Sequence, residues 1–539
     1  MQFKTLKEIY DHSVSSFSDR KAFSMIRHES LTYREFADRV EQTRELILNS
    51  GIGQGDKVAL FSRSTTNWPI SYFACVTSGI VIVPILPDFS RDEVENLLAH
   101  SGVKGLFVSG KLSSLISEET YSRMNLAVST DDMSVICRNS EDVADSSEPL
   151  PEDLAAIIYT SGTTSSPKGV MLTHFALANQ INLYPTFFPI EKEDSFLSFL
   201  PLSHVYECSV GMLYPFAFGC SVTYLDKLPA ASVLLPAFKA VSPSIFLTVP
   251  LILDKIYRSQ VRARMTKNSF LSFLYKIAPV RKIYHKLAGK AVLQALGGNI
   301  RFIGIGGSKV NEDTERFLLE GGIPYAIGYG LTETAPLLFA IAPGDNRIGS
   351  TGKVITTIEY RLDDMDPKTG EGELVVKTPC IMQGYYKNPE KTAEAFTEDG
   401  WFKTNDICTV SKDGYLSIKG RANNMIVGAS GENIYPEEIE DVINSHHLVE
   451  ESLVIEDNGE LIALVSFNKE QVEAAISKMG EEMNEGMEKI KKELTEFVNT
   501  HVNRFSRIKA IEEQKEPFIK TPSQKIKRFL YKRNTNKKK

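Results

Sequence analysis

An apolar segment, Leu154–Thr160, runs straight into Ser161-Gly162-Thr163-Thr164-Ser165-Ser166-Pro167-Lys168-Gly169-Val170, and no other feature constrains the chain as much. A continuous short apolar run reads as a strand buried on both faces, so the loop leaves from inside an α/β core. Glycine lets a backbone approach a polyphosphate, hydroxyls and loop N–H groups donate to its oxygens, and Lys168 can neutralise its charge. Polar runs alone are usually solvated loops. Here the order of types, opening on Tyr159 and closing on a lysine, argues for phosphate binding. It is not the common P-loop, because Lys168 precedes the second glycine and no Ser or Thr follows it. A helix is expected just beyond, at 172–182.

The same alternation surrounds this segment. Strands are expected at 57–62, 81–86 and 105–109, with helices at 68–77 and 92–101. Residues 139–153 form a loop, and strand-helix alternation resumes to about residue 345. Such alternation implies parallel strands with helices on the sheet faces. From residue 360 the chain changes to short strands and turns, at 372–377 and 414–419. After Gly420-Arg421 it changes again: a helix at 436–444, strands at 452–456 and 461–467, a charged helical region at 471–499 and a basic end. A chain of 539 residues exceeds one core. The expected organisation is α/β: a large multi-lobed N-terminal domain, 1–420, with parallel sheets flanked by helices and a β-rich lobe. A small α+β C-terminal domain, 421–539, follows.

Composition sets outer bounds. The chain is 42% hydrophobic and 24% charged, as globular proteins are. A net charge of −7 argues against nucleic acid as a partner. Cys75, Cys137, Cys208, Cys220, Cys380 and Cys408 form no CxxC pair, which fits free thiols in a reducing cytoplasm. Residues 1–8 lack a signal-peptide pattern, and the most apolar stretch, 79–87, is far shorter than a membrane span. The expected location is cytoplasmic, with the basic tail at 520–539 offering a peripheral membrane contact.

Further motifs follow in order. Leu200-Pro201-Leu202-Ser203-His204-Val205-Tyr206-Glu207 is the first, then Ile303-Gly304-Ile305-Gly306-Gly307-Ser308, a strand ending in a glycine turn. The latter fails the dinucleotide fingerprint, because Lys309 stands where the third glycine belongs. In Tyr329-Gly330-Leu331-Thr332-Glu333-Thr334, Tyr329 offers a stacking face, Thr332 a hydroxyl and Glu333 a hard oxygen ligand for Mg²⁺. A capped helix start would use Thr332 and Glu333 equally well. Gly400-Trp401-Phe402-Lys403-Thr404-Asn405-Asp406, Gly420-Arg421 and Lys520-Thr521-Pro522-Ser523-Gln524-Lys525 complete the series.

Taken together, over nearly the whole chain, these motifs resemble the adenylate-forming superfamily: acyl-CoA synthetases, luciferases and the adenylation domains of peptide synthetases. The resemblance implies that Thr160, Ser161, Gly162, Thr163, Thr164 and Lys168 hold phosphates. Gly306, Gly307, Ser308, Tyr329 and Gly330 would flank adenine, with Thr332 at the α-phosphate and Glu333 on Mg²⁺. Asp406 and Arg421 would hold the ribose, and His204 would lie beside the substrate carboxylate, although a lone histidine is more often structural. Asn423 would be the hinge, Ser430 and Gly431 the coenzyme A tunnel, and Lys525 the adenylation lysine. Ser165, Asn405 and Gln524 stand where relatives carry glycine, and Lys309 where they often carry proline.

Segments 249–257 and 298–302 resemble the long-chain fatty acyl-CoA synthetase branch. That resemblance implies ATP, Mg²⁺, coenzyme A and a medium- to long-chain fatty acid, joined through an acyl-adenylate. The aromatic stretch from Phe199 to Phe218 would then wall an acyl tunnel; without the resemblance it reads as core. An acyl-carrier-protein ligase and a non-catalytic acyl or nucleotide sensor are the alternatives. No G-x-S-x-G element supports a hydrolase.

Overall fold

The computed structural model describes residues 2–160, 168–225, 229–428, 432–480, 482–521 and 525–533. Two large sheets dominate. In the nine-stranded one, Tyr325–Gly330, Phe302–Ile305, Ile245–Thr248, Ser195–Ser198, Ser221–Tyr224 and Lys21–Met25 lie parallel in that order, and antiparallel strands close both edges. The eight-stranded sheet has a parallel centre of Leu154–Thr160, Val81–Ile85, Lys57–Phe61, Gly105–Val108 and Leu126–Ser129. One apolar core joins them: Leu60 and Ile82 from the second sheet share it with Phe196 and Val222 from the first. The helix Asn67–Val76 lies inside that core. Every residue from Trp68 to Val76 is buried, so it is apolar all round, as a helix without a solvent face must be.

The β-rich lobe is a four-stranded antiparallel sheet of Glu359–Asp363, Gly372–Lys377, Phe402–Val410 and Leu416–Arg421. Beyond it, Val449–Asp457, Glu460–Phe467 and Ala510–Glu513 form a small sheet, covered by the helices Pro436–Asn444 and Met483–His501. Ile439, Val454, Val465, Ile490 and Leu494 give this C-terminal unit a core of its own. The fold is therefore α/β with parallel sheets in a large N-terminal part and a C-terminal part with small sheets.

Two local expectations change. Residues 172 and 173 belong to a strand, Lys168–Thr173, which runs antiparallel to Leu154–Thr160 with Thr160 opposite Lys168; the helix starts only at His174. The hydroxyl-rich segment thus connects two paired antiparallel strands, and the chain continues from it as a strand before the helix at His174. The charged region at 471–499 is two helices, Lys469–Met479 and Met483–His501, because Gly480 ends the first in the left-handed conformation (φ +70°).

The aromatic stretch divides. Tyr214 and Phe216 are core: Phe216 stacks on Phe23 at 5.7 Å and meets Phe73 at 4.7 Å. Glu207 opens a π-helical segment, Glu207–Leu213, and is buried. Its Oε1 accepts from Ser198 Oγ at 2.6 Å, while Oε2 has no hydrogen-bond partner among the described residues. Burial pushes the carboxyl up to about 8 from its ordinary 4.5. The folded protein therefore binds this proton more tightly than the unfolded chain, so the contribution is full below pH 4.5 and is lost as pH rises through 8. Glu207→Gln keeps the neutral shape without the titration. Thermal unfolding should show little change at pH 5 and a higher Tm than the parent at pH 8.5.

Candidate active site

The candidate residues gather beyond the carboxyl ends of parallel strands, where open α/β sheets bind ligands. Phe302–Ile305 ends in Gly306 and Gly307, and Tyr325–Gly330 ends in Tyr329 and Gly330. A Cβ on Gly306 would lie 3.1–3.3 Å from the Tyr206 ring, and one on Gly330 would lie 1.8 Å from the Pro336 carbonyl oxygen. Gly330 therefore excludes a side chain, Gly306 admits one only if the Tyr206 ring gives way, and Gly307 adopts φ +93°. Ser308 is exposed beside them. The glycines therefore form a backbone ledge that the Tyr206 ring packs against at Gly306 and that is exposed at Gly307 and Ser308.

Asp406 stands on the facing β-rich lobe, 3% exposed. Its Oδ2 accepts from the Tyr329 hydroxyl at 2.6 Å and its Oδ1 pairs with Arg421 Nε at 3.0 Å. Arg421 is its direct cross-strand partner and also donates to the Thr404 carbonyl at 3.2 Å. Burial raises the Asp406 carboxyl, opposed by Arg421 and by the Tyr329 hydrogen bond. A buried, oriented carboxylate retains lone pairs for further O–H donors. Asn405 next to it has φ +57°, the left-handed region in which asparagine is the least costly alternative to glycine. The departure from glycine thus preserves the backbone turn. The Asn405 side-chain oxygen accepts from Asn423 Nδ2 at 3.3 Å, which ties the expected hinge to the strand that carries Asp406.

Glu333 lies in the short turn Thr332–Thr334, with Thr332 beside it. Its Oε1 accepts from the Tyr385 hydroxyl at 2.9 Å, and its backbone carbonyl accepts from Met382 N at 2.8 Å. No hydrogen bond to a described residue occupies Oε2, so this carboxylate keeps a hard oxygen of the kind Mg²⁺ takes. Lys168 places its ammonium 4.9 Å from the centre of the Tyr385 ring. Tyr385 thus bridges the strand Lys168–Thr173 to the Glu333 turn. The sequence motifs do not include it: it is 52 residues from Glu333 and nothing in the local pattern marks it.

Lys525 comes from the far end of the chain and lies within electrostatic reach of Arg421, Asp406 and Glu333. Crowding by protein lowers its ammonium pKa, as does Arg421, while Asp406 and Glu333 oppose the shift. Its backbone N–H donates to Thr521 Oγ1 at 3.2 Å. His204 lies close enough to feel Lys525; burial first, then that charge, lowers it to about 4. Its Nδ1 accepts from Tyr206 N at 3.2 Å, so at neutral pH His204 is an uncharged imidazole whose other N–H is a donor. The structure therefore brings together His204, Gly306, Tyr329, Glu333, Asp406, Arg421 and Lys525. Ser161, Gly162, Thr163, Thr164, Ser165, Ser430, Gly431 and Gln524 lie outside the described residues.

The AMP-binding enzyme family model matches residues 10–386, and the AMP-binding enzyme C-terminal domain model matches residues 423–535. The chain belongs to the AMP-binding enzyme family. A long-chain-fatty-acid–CoA ligase, FadD15, of Mycobacterium bovis is 30% identical over 479 residues, covering 82% of this chain and 78% of that protein. A peroxisomal long chain acyl-CoA synthetase 7 of Arabidopsis thaliana is 29% identical over 521 residues, covering 86% and 74%. Among solved structures, the anthranilate CoA ligase AuaEII in complex with anthranoyl-AMP superposes with a TM-score of 0.78 at 20% identity, covering 98% of this chain and 96% of that one.

The left-handed conformation at Asn405 sets an expected outcome. Asn405→Gly should retain the parent's stability, and Asn405→Val should lose about 1–2 kcal/mol in a denaturant titration, because a β-branched side chain resists positive φ.

Proposed function

We propose that this protein activates a medium- to long-chain fatty acid with ATP, forming an acyl-adenylate and pyrophosphate, and then passes the acyl group to the thiol of coenzyme A, releasing AMP. The position of Lys525 carries this reading. A cation delivered by the C-terminal part stands among Asp406, Arg421, Glu333 and His204, where an α-phosphate and an acyl carboxylate would meet. The two similar proteins named for long-chain acids and coenzyme A supply the substrate class.

In the first half-reaction the acid's oxygen attacks the α-phosphorus and pyrophosphate leaves. Lys525 holds positive charge against the oxygens on which negative charge grows, and the neutral His204 N–H can hold the acid's second oxygen. Asp406, fixed by Tyr329 and Arg421, would accept the ribose hydroxyls, and Tyr329 with the Gly306-Gly307 ledge would hold adenine. Glu333 is the residue that would hold Mg²⁺, which neutralises polyphosphate charge when bound. Thr160, Ser161, Gly162, Thr163, Thr164 and Lys168 would meet the departing pyrophosphate.

In the second half-reaction the thiol sulfur attacks the acyl carbon and AMP leaves. For this the C-terminal domain would turn about Asn423, leaving Arg421 on the lobe strand Leu416–Arg421, and replace Lys525 with Ser430 and Gly431. The contacts between the two parts suit such a movement because they are polar: Lys309–Asp441 at 3.2 Å, Lys419–Glu438 at 3.3 Å, Lys527–Glu93 at 3.6 Å and Tyr435 Oη to Glu371 at 3.0 Å. Partly exposed ion pairs are individually weak and separate at little cost. A cytoplasmic location with peripheral membrane contact belongs to the same proposal; among the described residues no helix is long and apolar enough to cross a membrane.

An acid panel from acetate to long chains, scored by pyrophosphate release, tests the reading. kcat/KM should climb with chain length, each buried methylene adding about 0.8 kcal/mol until the pocket ends. Equal values for acetate and dodecanoate would refute the fatty-acid assignment. Release of pyrophosphate with thioester formed only on acyl carrier protein would move the acceptor to the carrier-protein alternative.

A further inference from the structure

The crossover between Ile245–Thr248 and Phe302–Ile305 carries two consecutive helices, Ser269–Lys276 and Ala278–Ala295, with an unusual outer surface. Phe270 is 69% exposed, Phe273 63%, Ile283 64% and Leu287 65%. On Ala278–Ala295, exposed residues recur as Lys282-Ile283, Lys286-Leu287 and Lys290, four apart, which is one stripe of a helix. The opposite side is firmly seated. His285 and Gly289 are buried, and a Cβ on Gly289 would lie 2.3 Å from the Gly321 carbonyl oxygen. Arg281 and His285 both bind Glu320, at 2.8 and 2.7 Å, and Tyr275 Oη meets His285 Nε2 at 2.6 Å. The seating fixes which side of this helix faces water.

Charge is segregated here. Residues 255–311 contain twelve Lys and Arg and no Asp or Glu, in a chain whose net charge is −7. None of Lys267, Lys276, Lys282, Lys286 and Lys290 forms an ion pair with a described residue. Three described cations of the basic tail differ: Lys527 pairs with Glu93, Arg528 with Glu440 and Arg533 with Asp457. A groove of about 510 Å³ opens beside the stripe, between Lys282, Ile283 and Lys286 on one side and Arg316, Leu319 and Ile348 on the other, with the paired Glu320 at its edge.

We propose that this helix pair docks the protein on an anionic lipid bilayer. Exposed aromatic and aliphatic side chains interleaved with unpaired lysines suit the boundary between headgroups and acyl chains. There the apolar groups enter, and the lysine stems follow them while their ammonium groups meet headgroup phosphates. A second copy of the same face is a poor occupant, since it would set like charges against each other. The proposal extends the fatty-acid reading, because a long-chain acid partitions into bilayers. It needs no acid, nucleotide or thiol for its test, so either can fail without the other.

The full chain is co-sedimented with phosphatidylcholine vesicles and with phosphatidylcholine–phosphatidylglycerol vesicles. It should bind the second, bind the first far more weakly, and come off as salt rises. Replacing Lys282, Lys286 and Lys290 with Ala should weaken partitioning about fivefold per lysine, on the order of a hundredfold together. Phe270→Ser with Phe273→Ser should weaken it at least about tenfold, even at low salt. Removing residues 534–539 should change it less than about twofold. Thermal unfolding of each variant confirms a folded chain. Anionic vesicles bound equally by the parent and the folded lysine variant would overturn the proposal. So would loss of binding on removing the tail, or no vesicle binding by a parent that instead binds acidic acyl carrier protein through these lysines.

Discussion

The site depends on one buried carboxylate. Asp406 belongs to the antiparallel lobe, Tyr329 to the end of a parallel strand and Arg421 to the last strand before the C-terminal part, and Tyr329 and Arg421 converge on the two oxygens of Asp406. Burying a carboxylate is costly unless its charge is paired and its oxygens are bonded. The three elements satisfy that requirement only when both lobes are in register. The same contacts that make the anion tolerable thus fix the distance between the glycine ledge and the β-rich lobe. Asn405, in its left-handed turn, continues the connection to Asn423.

Energetically the chain separates into a rigid part and a part held by polar contacts. A shared apolar core fuses the two large sheets and the lobe, and the fully buried helix Asn67–Val76 lies within it. The C-terminal unit has its own core and reaches the rest through ion pairs and hydrogen bonds. Such an arrangement favours a unit that keeps its shape while changing its place. Lys525, delivered from that unit into the cleft, gives such a change a chemical consequence.

Local patterns made most of the fold legible. The strands near 57–61, 81–85 and 105–108, and the helix at 436–444, follow from apolar runs, turn residues and proline at a helix start. The strand after the hydroxyl-rich segment was not legible, because Lys168–Thr173 carries no alternation that separates a strand from a helix, and its pairing with Leu154–Thr160 is a contact between strands. Gly480 was the available signal for the break in the charged helical region. At the site, motifs located the residues whose own chemistry is distinctive: Asp406, Glu333, Tyr329 and Lys525. They missed Tyr385, which acts by bridging Lys168 and Glu333, and the Lys309–Asp441 pair, since such contacts exist only once distant segments meet.

The central claim is that Lys525 serves the first half-reaction alone, and single-turnover measurement of both halves in one folded variant tests it most directly. Lys525→Ala removes a charge aimed at the developing anion, so adenylation of a fatty acid, followed by pyrophosphate release, should fall by roughly 10²–10³. Transfer from supplied acyl-AMP to coenzyme A should proceed at nearly the parent's rate, and Lys527→Ala should change neither. Parental pyrophosphate release by Lys525→Ala, or an equal fall in both halves, would contradict the account.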